Sequence, residues 1–228
     1  MKRVMIIGKP GREFSALKKK ILSAGLHYDE TNPEVVVSYG GDGTYLVAER
    51  SFPGIPKLLV RDSKICNKCH NKPDEHVFGA VAKNEYAVHD HIKLEAAIGK
   101  EKLIATNDFV IRNKFPTHAI RFSLKIDGKQ LHGEIIGDGI VVSTAFGSTG
   151  YYFSVSRSTF EKGIGVAFNN TTQHLKPLEL KEDQEITLTL TRGDAVLVSD
   201  NDPTVIELKE GEKVTIKKSK NVAKIIVV

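Results

Sequence analysis

The 228 residues include no tryptophan, two methionines and two cysteines. Two cysteines cannot build a disulfide framework, which predicts reduced thiols and a cytoplasmic location. Long apolar runs are also missing. Nothing approaches the roughly 18 apolar residues of a membrane span. The apolar run at 4–7 is too short for the core of a signal peptide. No membrane partner is therefore expected. Basic runs stop at the three lysines at 18–20, and no stretch interleaves arginine with aromatics, so no nucleic-acid partner is expected either. Internal repeats and low-complexity linkers are absent.

What is present is an ordinary globular composition. Hydrophobic residues make up 40%, and the chain is long enough to bury a core without a metal or disulfide staple. The net charge is +5 and unevenly placed. Residues 1–83 carry 14 Lys/Arg against 9 Asp/Glu, whereas residues 84–228 carry 19 of each. The basic third is either a solvated lysine-bearing surface or an attractor for a phosphate-rich ligand.

The hydrophobic pattern changes near Asn84. Before it, 2–8 reads as a buried strand. Residues 11–25 read as a helix with Phe14, Leu17, Ile21 and Leu22 on one face and Gly25 as its cap. Strand, helix and strand follow at 34–39, 45–51 and 55–60. This alternation predicts an α/β domain with a parallel sheet over 1–83. After Asn84, short alternating segments at 119–126, 131–136, 140–144, 186–191, 195–199, 204–208, 213–217 and 223–228 are punctuated by Asp127-Gly128, Gly193-Asp194 and Glu210-Gly211. They predict an all-β sandwich over 84–228, whose last strands are candidates to pack back on the first domain.

Gly40-Gly41-Asp42-Gly43-Thr44 follows a strand and opens a helix. Glycines let backbone amides approach and converge on one anion, and a helix N-terminus favours negative charge, so phosphate is the natural guest. Asp42 would repel it. That makes sense if Asp42 accepts a hydroxyl proton or holds a phosphate-bridging metal. Thr44 either contacts phosphate or caps the helix. The plain alternative is a strand-to-helix turn with Asp42 as its cap. In 137–151, a buried strand opens into small and hydroxylated residues that pack poorly but suit a polar ligand, with Tyr151 available for stacking or a ribose contact.

The first motif resembles the GGDGT signature shared by NAD kinases, diacylglycerol and sphingosine kinases and, more distantly, phosphofructokinases. The second resembles the NAD kinase motif DG-x4-ST-x-x-GSTAY at Asp138, Gly139, Ser143, Thr144, Gly147, Ser148, Thr149 and Tyr151. Asn107-Asp108 is similar to that family's Asn-Glu pair. We therefore identify the chain as resembling the NAD kinases, from about Val35 onward. Four places depart from the family pattern. Phe146 replaces a small or hydroxyl residue and Gly150 an alanine, the stretch 59–65 stands where a Leu-Gly-Phe sequence is usual, and the stretch 155–164 stands where a Gly-Gly-Pro run is expected.

The resemblance implies transfer of a phosphoryl group from ATP or polyphosphate to the 2′-hydroxyl of the adenosine ribose of NAD, giving NADP. It makes Asp42 catalytic, with Gly40, Gly41, Gly43 and Thr44 on the phosphates. It places Asn107, Asp108, Asp138, Thr149, Gly150, Tyr151 and Ser154 on NAD, with Asp138 acting from a neighbouring subunit. Mg²⁺ is the expected cation, and a homodimer or homotetramer the expected assembly. The alternatives are a related kinase acting on another hydroxyl, of a lipid or a nucleotide, and a non-catalytic NAD- or NADP-binding protein. One signal stands outside the resemblance. Cys66, Cys69, His70 and His76 could supply four zinc ligands, set against reduced loop thiols.

Overall fold

In the computed structural model, the β-branched run Val35-Val36-Val37 forms the centre of a parallel sheet. The structure describes residues 1–62, 66 and 68–228, in two units: Met1–His91 with Val222–Val228, and Ile92–Asn221. In the first unit the elements are β1 (Arg3–Gly8), α1 (Ser15–Ser23), β2 (His27–Tyr28), β3 (Val35–Gly40), α2 (Asp42–Ser51), β4 (Lys57–Arg61) and α3 (Asp74–Lys83). The strand order is β4-β3-β1-β2, all parallel. Val4, Ile6, Val35, Val37, Leu58 and Val60 from the strands meet Leu17 and Ile21 of α1 and Val77, Phe78 and Val81 of α3 in one apolar core.

Local chemistry explains the helix ends. Gly25, at φ +82°, follows α1, and its N–H donates to Leu22 O. Asp74 and Glu75 occupy the first turn of α3, and Asn84 ends it at φ 60°. Three expectations are corrected here. Leu22 is 56% exposed, because Leu17 and Ile21 share a face and Leu22 is rotated about 100° beyond it. Helix α3 was not foreseen. Gly41, not Thr44 or Asp42, occupies the N-cap of α2. Of the stretch 59–65, residues 63–65 lie outside the described residues.

The chain continues through β5 (Ala87–Ile98), β6 (Glu101–Ala105), β7 (Asp108–Asn113), β8 (Ile120–Ile126), β9 (Lys129–Gln130), β10 (Ile135–Gly137), β11 (Gly139–Thr144), α4 (Tyr151–Ser156), β12 (Ile164–Asn169), β13 (Leu178–Leu180), β14 (Ile186–Arg192), β15 (Ala195–Ser199), β16 (Ile206–Leu208) and β17 (Lys213–Val227). In the second unit, antiparallel strands run β13-β12-β11-β7-β15-β16 in one sheet. In the other, β8 lies between β10 and β14, and β14 pairs with the start of β17. Phe109, Ile111, Ile140 and Val142 of the first sheet face Phe122, Leu124, Ile186 and Leu188 of the second. The intervening Val110 and Val141 point the other way, onto Tyr152 of α4 and Phe160. This period of two is what a sandwich strand covered on both faces requires. One expectation changes: the separate strands at 213–217 and 223–228 are a single strand, β17.

Candidate active site and its two motifs

Asp42 stands in the first turn of α2, half-buried. Gly41, Asp42, Gly43 and Thr44 line a cavity of about 520 Å³ with Gly8, Lys9, Pro10 and Val47. Gly40 is glycine for a steric reason: a Cβ there would meet Thr44 Oγ1 at 2.2 Å. The hydroxyl of Thr44 is thus packed on the loop, and its N–H donates to Gly41 O at 2.9 Å. Thr44 shapes the turn and does not cap it. The loop is tied to β4 by Asp62 N–H, which donates to Gly40 O at 3.1 Å.

The zinc expectation is overturned beside this loop. Cys66 and Cys69 are joined in a disulfide, so neither sulfur is free to hold a metal. Their spacing brings the Cα atoms within 5.6 Å, which a disulfide spans. The expectation of reduced thiols falls with it. His70 Nδ1 lies 3.0 Å from Lys72 O, and His76 is exposed on α3. Among the described residues no group of three His, Cys, Asp or Glu side chains could hold a metal. The disulfide instead abuts the glycine loop: Cys66 Sγ is 3.6 Å from Asp42 Oδ1, and Cys69 Sγ is 3.8 Å from Gly40 O. Burial pushes the neighbouring Lys68 down to about 8, and the charge of Asp42 opposes that shift. The sequence carried no signal that singled out Lys68.

In the second unit, the Asn107-Asp108 pair and the hydroxyl-rich turn come together. Thr144 N–H donates to Asn107 O at 2.8 Å, Ser143 Oγ to the same oxygen at 3.1 Å, and Thr144 Oγ1 to Thr106 O at 2.8 Å. Gly147 packs directly on Asn107, where a Cβ would sit 2.4 Å from Asn107 O. The same construction at Gly150 comes within about 4 Å of Asn107 Nδ2 and Asp108 Oδ2. Asn107 Oδ1 is buried with no hydrogen-bond partner in the protein. A buried carbonyl oxygen without a donor is costly, and a ligand hydroxyl or amine would satisfy it. Thr149, Gly150, Tyr151 and Ser154 are exposed at the start of α4. Asp138 stands at the other end of β11 from Asp108: Asp108 pairs with Ser143, whereas Asp138 O accepts from Asn113 N–H at 2.8 Å and its carboxylate accepts from Asn170 Nδ2 at 3.1 Å.

Asp108 is almost wholly buried, and its carboxyl is pushed up to about 7, first by burial and then by the charge of Asp200. No local pattern in the sequence singles out Asp200. Burial raises it too, against the pull of three backbone N–H groups.

The comparisons with known proteins come to the same place. Residues 106–228 match the family described as the ATP-NAD kinase C-terminal domain. An NAD kinase of Sulfurisphaera tokodaii is 30% identical over 226 residues, covering 94% of this chain and 89% of that protein. A bifunctional NADP phosphatase/NAD kinase of Methanococcus maripaludis is 28% identical over 201 residues, covering 82% of this chain and 35% of that longer protein. An NAD kinase of Archaeoglobus fulgidus, solved in complex with ATP, has a TM-score of 0.82 at 20% identity, covering 98% of this chain and 92% of that one. Yeast NADH kinase complexed with NADH has a TM-score of 0.87 at 18% identity, covering all of this chain and 84% of that one. At such identities these two structures speak for the fold. The family match over more than half of the residues, with the Sulfurisphaera relative along almost the whole length, shows that the chain belongs to the NAD kinase family.

Proposed function

We infer that the chain is an NAD kinase, transferring a phosphoryl group from ATP to the 2′-hydroxyl of the adenosine ribose of NAD to give NADP. The observation that carries this reading is the seat of Asp42 at the N-terminus of α2, lining a cavity otherwise made of glycine backbone, Lys9 and small side chains. A helix start attracts phosphate, and a lone carboxylate there suits the acceptor hydroxyl.

In this reading the backbone of Gly41, Asp42 and Gly43 holds the donor phosphates, and Gly40 and Thr44 set the loop's shape. Asp42 orients the 2′-hydroxyl and takes its proton as the oxygen bonds to the γ-phosphorus and the bond to ADP breaks. Positioning of the hydroxyl and late proton transfer carry this step. Asp42 is the only carboxylate among the described lining residues and would be the side chain to meet Mg²⁺, which would supply neutralisation of phosphate charge. Asn107 and Asp108 hydrogen-bond the nucleoside. Thr149, Gly150, Tyr151 and Ser154 line its adenine and ribose. Asp138 reaches the nicotinamide end from a second copy of the chain, in a homodimer or homotetramer. The reading includes a cytoplasmic location.

The test is NADP formation from NAD, Mg²⁺ and ATP, read with an NADP-specific dehydrogenase, and repeated with polyphosphate. Asp42→Asn is expected to lower turnover at least about 100-fold, with NAD affinity held within a few-fold. Near-normal turnover in that variant contradicts the role of Asp42. NAD binding without product in the unaltered protein would point to a binding protein instead.

A further inference from the structure

Asp200 follows β15 in the left-handed region, at φ 48°. That conformation turns its side chain onto a segment 92 to 94 residues earlier in the chain. Its Oδ2 accepts from Thr106 N–H at 2.8 Å, and its Oδ1 from Asn107 N–H at 2.7 Å and Asp108 N–H at 3.0 Å. Its own N–H donates to Asp108 O at 2.9 Å. On the opposite side, Asn107 O is held by Thr144 N–H and Ser143 Oγ. The peptide of Asn107 is therefore fixed from both sides. Its side-chain oxygen is left buried and without a protein donor. Three backbone donors converging on one group require a carboxylate, since an amide offers only one acceptor oxygen.

We propose that Asp200 is a positioning residue for dinucleotide recognition: its carboxylate holds the 106–108 turn so that Asn107 and Asp108 meet the nucleoside in fixed geometry. The proposal rests on the NAD kinase reading and adds a pH dependence to it. The charge that acts on Asp108 is that of Asp200, after β15, and Lys93, on β5, acts in turn on Asp200. Burial, and then the charge of Asp200, let Asp108 keep a proton up to about 7. Below that pH Asp108 offers the ligand an O–H donor. Above it the donor is lost and a second buried anion appears.

The experiment measures kcat and KM for NAD and for ATP from pH 5.5 to 9 in the unaltered chain, Asp200→Asn and Asp108→Asn. For the unaltered chain, KM for NAD is expected to rise several-fold through pH 7. In Asp200→Asn it rises about tenfold at pH 7, a loss of about 1.4 kcal/mol, while KM for ATP stays within twofold. The inflection also moves to lower pH, because the anionic neighbour is gone. In Asp108→Asn the inflection disappears. An Asp200→Asn protein with unaltered KM for NAD and an unmoved inflection overturns the proposal. So does a parallel change in both KM values, which is the signature of general misfolding. If Asp200→Asn does not fold, an inflection persisting in Asp108→Asn overturns it alone. Absence of NADP formation by the unaltered chain at every pH overturns the NAD kinase reading as well, so the two failures are told apart.

Discussion

Single residues here act through where their neighbours fall. Asp108 shows this in its titration. The folded chain holds its proton up to about 7, whereas an unfolded Asp releases it near 3.9. Between those values the folded state binds more protons, so stability falls as pH rises through the window, and the loss is complete above it. Asp108→Asn removes this contribution. Relative to the unaltered chain, the variant should gain stability between pH 4 and pH 8, by up to about 4 kcal/mol. Thermal melts of both proteins at pH 5 and pH 8 check the sign, and a Tm difference independent of pH contradicts it. The glycines and hydroxyls of both motifs were enough, from their types and order alone, to suggest the family. Asp200 and Lys68 carried no such signal, because their partners are distant in sequence or lie across a loop, and an isolated Asp in a turn or Lys in a loop has an ordinary explanation.

At the scale of elements, helix α2 is bound to β4 by more than apolar packing. Glu49 and Lys57 form an ion pair with both side chains buried, and Lys57 Nζ also donates to Phe52 O. Breaking such a pair leaves one buried charge, whereas replacing both partners by apolar groups removes the desolvation cost altogether. Glu49→Ala is therefore expected to cost about 3–5 kcal/mol in urea unfolding. The double change Glu49→Leu with Lys57→Met should fall within about 2 kcal/mol of the unaltered chain. Equal losses in the single and double variants would refute the account. The elements themselves were partly legible. The Val35-Val36-Val37 run and the 120–126 hairpin strand announced themselves through β-branching, alternation and the Asp127-Gly128 turn. Helix α3 did not, because Val77, Phe78 and Val81 lie in a segment dominated by the nearby cysteines and histidines. Leu22 was misplaced because four apolar residues within nine positions fit more than one helical face.

At the scale of the molecule, two strands, β5 and β17, run from one unit into the other. The end of β17 belongs to the first unit. Ile225 pairs in parallel with Lys57 of β4, and Ile226 enters the core formed by β1, β3, α1 and α3. Deleting Val222–Val228 should destabilise the first unit by at least the 2–5 kcal/mol typical of losing one buried Ile. Hydrogen exchange is the measurement: amides of β3 and β4 should lose protection while those of β7 and β11 keep it. Unchanged protection in β3 and β4 would show that this segment adds nothing to the first unit.

The division between what the chain spells out and what folding decides follows from range. Strand and helix periodicity, turn chemistry and the two motifs at 40–44 and 137–151 are local, written in neighbours a few residues apart, and they were enough for the fold class and the family. The merging of the last two strands into β17, the placing of Asp138 and Asp108 at opposite ends of the β11 ladder, and the carboxylate that grips the 106–108 turn from position 200 depend on contacts or through-space burial. Hydrogen bonds and desolvation act between atoms that are close in space, so only the folded chain could assign them.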